Sequence, residues 1–232
     1  MTSKTIVVTG ASRGIGREIA VFLALKNHKV IAVSRSADLL DDLAQSQPGH
    51  IEAYPCDLSS ADSIAALTKT LEKKGTPIDG LINNAGALVA KPFLELGDDD
   101  WMNMIESNLM SAVRLSRSLI PMMNKGGHIV NVSSLGGFMG ASKFGGLSAY
   151  STSKGAMVTL TECLAVELGD RGISANCLCI GAVQTEMLAQ AFPGYEAPVR
   201  ASEMGAYICD FVLNGHKLFN GKVLPVALND PD

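Results

Sequence analysis

Tyr150 and Lys154 stand four residues apart in Tyr150-Ser151-Thr152-Ser153-Lys154. On a helix that spacing puts both side chains on one face. A tyrosine ordinarily titrates near ~10 and is a poor acid or base at neutral pH. Bringing it toward ~7 requires about 4 kcal/mol, at 1.36 kcal/mol per unit. A cation about 4–5 Å away, at an effective dielectric of ~20, supplies roughly 3–4 kcal/mol. Lys154 is therefore expected to do most of the tuning, giving a general acid for reduction and a base for oxidation. The pair alone reads equally well as an ordinary amphipathic helix face. Ser134 adds weight: it closes the apolar run ending in Val130-Asn131-Val132-Ser133-Ser134, one helix upstream in sequence. Its hydroxyl could bond a substrate oxygen and steady a developing alkoxide. Ser133 competes for that role.

A second group of residues suits an anionic ligand. Thr9-Gly10-Ala11-Ser12-Arg13-Gly14-Ile15-Gly16 lies between an apolar strand pattern and a helix pattern. Glycines there let backbone approach a pyrophosphate, and the helix N-terminus favours negative charge. The spacing is G-x-x-x-G-x-G rather than G-x-G-x-x-G, so a plain strand-to-helix turn stays open as an explanation. The second strand pattern ends in Ser34-Arg35. Sites for NAD usually carry an acid at this point, against the ribose hydroxyl. Ser34 has no carboxylate to repel a phosphate, and Arg35 and Arg13 could grip one through charge-assisted hydrogen bonds. The expected cofactor is NADP(H), preferred over NAD(H).

The elements that must position these groups follow from patterning. β-branched runs at Thr5–Thr9, Lys29–Val33, Ile51–Tyr54, Gly80–Ile82, His128–Val132, Ser174–Leu178 and Lys222–Val226 read as strands. Continuous apolar runs such as Ile6-Val7-Val8 suit strands buried on both faces. Helices are expected between them, among others at Ile15–Lys26, Ala61–Lys73, Asp99–Met123 and Ala149–Leu168. The alternation predicts an α/β protein: a doubly wound parallel sheet flanked by helices on both faces, with ligands at the carboxyl ends of the strands. Neither linker nor repeat interrupts the 232 residues, so one domain over 1–232 is expected.

Composition narrows the partners. Hydrophobic residues are 47%, charged residues 18% and the net charge −4, which reads as globular and makes nucleic acid an unexpected partner. No apolar run approaches the ~20 residues of a membrane span. Met1 to Lys4 leads straight into a strand pattern, without a leader-like segment. Five cysteines, none in a Cys-x-x-Cys pair, read as reduced and mostly buried thiols. A cytoplasmic protein without a metal is expected.

Taken in order, these motifs resemble the short-chain dehydrogenase/reductase family, in its shorter form of roughly 250 residues, over nearly the whole chain. The resemblance implies a single-domain Rossmann-type fold with the active site built into it. It assigns Gly10, Ser12, Arg13, Ile15 and Gly16 to the cofactor loop, with Ser34 and Arg35 at the adenosine ribose. Asp57 and Leu58 are placed at the adenine, and Asn84, Ala85 and Gly86 of Asn83-Asn84-Ala85-Gly86 along the cofactor. Gly181, Val183 and Thr185 are placed at the nicotinamide. The implied catalytic set is Asn108, Ser134, Tyr150 and Lys154, with Asn108 holding a water for a proton relay and Tyr150 and Lys154 also touching the cofactor.

Three departures are visible. Ser134 and Tyr150 are separated by about three residues more than usual, which is expected to reshape the substrate entrance. Ile180 replaces a usual proline. The stretch from Thr185 to Glu203 is short for a lid, and the tail Ala227–Asp232 lacks a usual glycine pair. The implied activity is NADP(H)-dependent hydride transfer between nicotinamide and a carbonyl or alcohol substrate. A non-catalytic NADP(H)-binding sensor or scaffold is the alternative, and an epimerase or dehydratase a third. An acyl-carrier-protein substrate would need a basic surface, for which only Arg114 and Arg117 offer themselves. Apolar positions on the two long helices, including Leu109, Ala112, Leu160, Leu164 and Ala165, together with the resemblance, suggest a homodimer at least, with a homotetramer left open.

Overall fold

A computed structural model describes residues 2–228. Seven parallel strands form the central sheet: β1 (Thr5–Thr9), β2 (Lys29–Ser34), β3 (Ile51–Pro55), β4 (Ile78–Asn83), β5 (Met123–Ser134), β6 (Ser174–Ile180) and, after a short pair β7 (Val183–Gln184) and β8 (Val199–Arg200), β9 (Val223–Val226). Their order is β3-β2-β1-β4-β5-β6-β9. The chain moves outward one way from β1 and the other way from β4, so a crevice opens where the direction reverses. The doubly wound sheet expected from the sequence is therefore present. β4 and β5 run several residues beyond the stretches expected.

Side chains alternate along each strand and feed two separate cores. Ile6 and Val8 of β1 face α1 (Gly14–Leu25), α2 (Ala37–Ser46) and α8 (Ala201–Asn214), packing with Ile19, Leu23, Leu40 and Ile208. Val7 faces the opposite layer of α3 (Ala61–Lys74), α5 (Ser111–Leu119) and α6 (Ser148–Glu167), with Leu71, Leu115 and Leu119. All ten side chains are completely or almost completely buried. Fully burying each aliphatic chain contributes roughly 1.5–3 kcal/mol. α2 and α8 are helices that the sequence reading did not name.

The helix expected over Asp99–Met123 is not continuous. α4 (Asp98–Ile105) widens into a π-turn at Glu106–Met110 before α5 resumes. An extra residue in a turn of this kind redirects side chains, and here it carries Asn108 fully inside. Pro121, which has no N–H to continue the ladder, accompanies the change to a 3-10 turn at Ile120–Met122, and Met123 begins β5. Between Thr185 and Glu203 a single short helix, α7 (Glu186–Ala191), is followed by β8. The expectation about the C-terminal tail falls in part on Asn229–Asp232, outside the described residues. No described helix is long and apolar enough to cross a membrane.

Candidate active site

The glycine loop is built by sterics. Gly10 and Gly14 have φ of +65° and +54°, where side chains with a Cβ are strained. Gly16 is required for a different reason: a Cβ there would lie 2.3 Å from the Gly10 carbonyl oxygen and 2.6 Å from Asn84 Nδ2. The loop is stitched to the end of β4. Thr9 Oγ1 accepts from the amides of Asn84 and Ala85, both at 2.9 Å, and Asn84 Nδ2 donates to the Thr9 carbonyl at 3.0 Å. Arg13 takes the N-cap position of α1, yet no side chain caps the helix and its first turn contains no acid. Open amide donors and a positive helix end suit an anion.

Gly10, Ser12, Arg13, Gly14 and Ile15 line one end of a cleft of about 1080 Å³. Ser34, Arg35, Asp57 and Leu58 also line it, as do Asn84, Ala85 and Gly86 and the Tyr150–Lys154 pair, while Thr185 lines it beside Gly14. Most of the residues singled out in the sequence thus meet around one volume. Gly16, Asn108, Ser134, Gly181 and Val183 are not among its lining. Gly16 is pressed under the loop, Val183 belongs to the apolar core, and Gly181 bonds the Val226 carbonyl and abuts Ala227.

Asn108 is committed elsewhere. Its Oδ1 accepts from the Ala87 amide at 2.8 Å, and its Nδ2 donates to the Ala87 carbonyl at 3.0 Å and to Ser153 Oγ at 2.9 Å. The side chain clamps the segment after β4 to α6. The same crowding explains Gly86, where a Cβ would come within 2.7 Å of Asn108 Oδ1.

The two serines take different partners, and of the two it is Ser133 that lines the cleft. Ser133 is 1% exposed and donates its hydroxyl to the Lys154 carbonyl at 2.7 Å. It fastens β5 to α6. Ser134 Oγ accepts from the Gly136 amide at 3.2 Å and lies near enough to the Tyr150 phenol to lower its pKa. Gly136 and Gly137 let the following loop lie against α6, since a Cβ on Gly137 would come within 2.5 Å of the Lys154 carbonyl carbon.

Electrostatics correct one expectation. Burial pushes the Tyr150 phenol above its ordinary value, and the neighbouring Ser134 hydroxyl only partly opposes this. Lys154 does not lower it here. Its Nζ donates to the Val132 carbonyl at 2.9 Å and lies 6.0 Å from the Tyr150 ring centre. Burial brings the ammonium down to about 8, so it remains mainly protonated at neutral pH. Arg13 differs from expectation as well: it bonds Glu186, the first residue of α7, at 3.0 Å. Both partners are more than half exposed, so a phosphate competes with a weak surface pair. Asp57 is held below the usual carboxylate range by the amide and hydroxyl of Ser59.

Several lining residues were not picked out in the sequence. Met102, Asn103, Glu106, Ser107 and Ser111 form a wall from α4 through the π-turn, and the recurrence at 103, 107 and 111 was an available helical-face signal. Met187, Gln190 and Ala191 contribute from α7.

Comparison with known proteins agrees with this geometry. A family model described as short chain dehydrogenase matches residues 4–196. A 3beta-hydroxysteroid dehydrogenase from Mediterraneibacter gnavus is 36% identical over 189 residues, 79% of this chain and 67% of that protein. The 3-oxoacyl-(acyl-carrier-protein) reductase FabG of Escherichia coli is 32% identical over 186 residues, 79% of this chain and 75% of its own. A doubly substituted Serratia marcescens short-chain dehydrogenase/reductase superposes with a TM-score of 0.87 at 27% identity, covering 97% of this chain and 96% of its own. With the strand order, the glycine loop and the Tyr-x-x-x-Lys helix all in place, this chain belongs to the short-chain dehydrogenase/reductase family of oxidoreductases.

Proposed function

We propose that the chain, acting as one domain, is an NADP(H)-dependent enzyme that interconverts a carbonyl and an alcohol. The observation that carries this reading is the Tyr150 phenol, with Lys154 one helical turn on, lining the same cleft as the uncapped glycine loop. That loop fits a dinucleotide: its open helix end, its two left-handed glycines and the Gly10–Ile15 wall suit a pyrophosphate. Ser12, Arg13, Ser34 and Arg35 are the groups for an adenosine ribose phosphate, Asp57 and Leu58 for the adenine, and Asn84–Gly86, Lys154 and Thr185 for the nicotinamide half. When bound there, nicotinamide supplies a hydride to a carbonyl carbon or accepts one from an alcohol.

The chain's own residues handle the proton and the geometry. In reduction, Tyr150 Oη gives its proton to the carbonyl oxygen, while the Ser134 hydroxyl holds that oxygen as negative charge develops. A phenol raised by burial is protonated at neutral pH, the form this step requires. Lys154 keeps a positive charge at the same end of the cleft, its Nζ held on the Val132 carbonyl. Asn108 acts as a positioning residue, fixing Ala87 and Ser153 on either side of the site, with any relay water left to its backbone. In oxidation the same proton runs back to Oη.

Tyr150→Phe removes the acid and preserves the ring. Turnover with NADPH and a panel of ketones is expected to fall by about 10²–10⁴-fold, with NADPH affinity by fluorescence titration little changed. Near-normal turnover would refute Tyr150 as the acid. Equal affinity of the unmodified protein for NADH and NADPH would refute the cofactor preference.

A further inference from the structure

Resting on that reading, we propose that the substrate is an uncharged carbonyl or alcohol with an apolar body, not an anionic thioester carried on coenzyme A or an acyl-carrier protein. Two independent observations on the substrate half of the cleft carry this. The first is its apolar lining, made by Leu88, Ala90, Met102, Met187 and Ala191. Met102 is 63% exposed and Met187 43% exposed. Two unbranched, adaptable side chains left facing open space offer contact to an apolar guest without dictating its shape.

The second is charge. The basic side chains lining the cleft are Arg13, Arg35 and Lys154. The first two lie at the glycine-loop end, and the third is buried at the reacting end with its Nζ on the Val132 carbonyl. The glutamates lining the cleft are each already paired, Glu186 with Arg13 and Glu106 with Arg114. Arg114, one of two cations the sequence offers for an acidic carrier, is bonded to Glu106 through both guanidinium nitrogens. α4 opens with Asp98, Asp99 and Asp100, against which Lys91 is neutralised at 2.8 Å. A phosphorylated carrier approaching this mouth finds these lining charges already paired, and Asp98 and Asp99 repel it. The loop from Ser134 to Tyr150 lies against the same mouth, since the Lys91 amide donates to the Gly146 carbonyl at 2.9 Å.

The experiment uses the intact protein at saturating NADPH and compares one reacting group on two handles: acetoacetyl-coenzyme A and the neutral acetoacetyl N-acetylcysteamine thioester. At low ionic strength kcat/KM should favour the neutral ester by on the order of tenfold, and the gap should narrow with added salt as repulsion is screened. Across a series of linear methyl ketones, kcat/KM should rise about two- to fourfold per methylene until the cleft is filled. A coenzyme A ester preferred at every salt concentration, or a flat chain-length series, overturns the inference while the oxidoreductase reading stands. Failure of NADPH to bind, together with no oxidation of NADPH by any of these compounds, defeats the underlying reading instead.

Discussion

Lys154 offers a test of the site that does not depend on knowing the substrate. It is 5% exposed, and burial takes its ammonium from 10.5 to about 8. A lysine whose folded value is depressed binds protons less readily folded than unfolded. Its charge therefore opposes folding most strongly below pH 8, and the penalty disappears as pH rises from about 8 through the unfolded value of 10.5. The difference of about 2.5 units corresponds to roughly 3 kcal/mol at 1.36 kcal/mol per unit. Between pH 7 and 9.5 about 2 kcal/mol of that is relieved. Replacing Lys154 with Met keeps the volume and removes the titration. Other groups titrate in the same range, Tyr150 among them, so the quantity to measure is the difference between the two proteins. Urea unfolding without cofactor, followed at pH 7, 8, 9 and 9.5, should show the unmodified protein gaining about 2 kcal/mol on Lys154→Met. The variant's constant cost from the orphaned Val132 carbonyl, roughly 1–3 kcal/mol, shifts the whole curve and leaves its slope alone. Parallel curves would show that Lys154 is not desolvated as the structure has it.

Gly16→Ala must displace the Gly10 carbonyl or Asn84, because a Cβ would sit 2.3 and 2.6 Å from them. It should cost about 1–3 kcal/mol of stability and weaken NADPH binding, as read by unfolding and titration; an alanine accepted at no cost in either would refute the packing. Ser133→Ala should lower stability by about 0.5–1.5 kcal/mol through loss of its bond to the Lys154 carbonyl, which α6 continues to pair, whereas Ser134→Ala should lower kcat with smaller effect on stability. The reverse assignment in paired unfolding and turnover assays would exchange their roles. For assembly, light scattering after size-exclusion chromatography should give twice 24.3 kDa or a higher even multiple at micromolar concentration; a monomer mass refutes a dimer. That expectation rests on fewer side chains than the sequence suggested. Ala112 and Ala165 are core residues, leaving half-buried Leu109, Leu160 and Leu164 with Val166, which is 83% exposed.

What could be read beforehand was local chemistry and periodicity. The Ile6-Val7-Val8 run announced a strand covered on both faces, and it divides its side chains between two cores. The left-handed conformations of Gly10 and Gly14 follow from a tight strand-to-helix turn, which the glycine spacing already signalled. Tyr150 and Lys154 share a helix, so four-residue spacing was enough to bring both to one cleft. Where the reading failed, the missing information lay in tertiary contacts. Nothing local to Glu106–Met110 marks a π-turn, and its consequence is that Asn108 reaches Ala87 and Ser153 rather than open space. The tyrosine was expected to be tuned by a nearby ammonium at a separation no sequence fixes. In the fold that ammonium turns to the Val132 carbonyl, and desolvation dominates the phenol. The partner of Arg13 lies 173 residues away, on a helix the loop pattern did not show.

These contrasts divide the site by the stiffness of what carries it. Residues assigned to the cofactor and the proton sit at strand ends or on long helices, each with a neighbour holding it: Asn84 by Thr9, Lys154 by Val132, and the backbone of α6 by Ser133. Such supports keep reacting groups within the tolerance that catalysis needs. Residues on the substrate side ride on α7, six residues long, and on the mouth around Lys91 and Gly146. Their cross-ties include two ion pairs, Arg13 to Glu186 and Lys91 to Asp100, and one amide bond from Lys91 to Gly146. An exposed pair contributes at most about 1 kcal/mol, so α7 is held by little more than its Thr185 cap and β7–β8 pairing. A guest with an apolar body can therefore move Met187 and its helix at small cost, while the strand ends beneath stay fixed. On the proposed function, breadth in substrate shape and strictness in proton transfer are compatible because separate elements bear them.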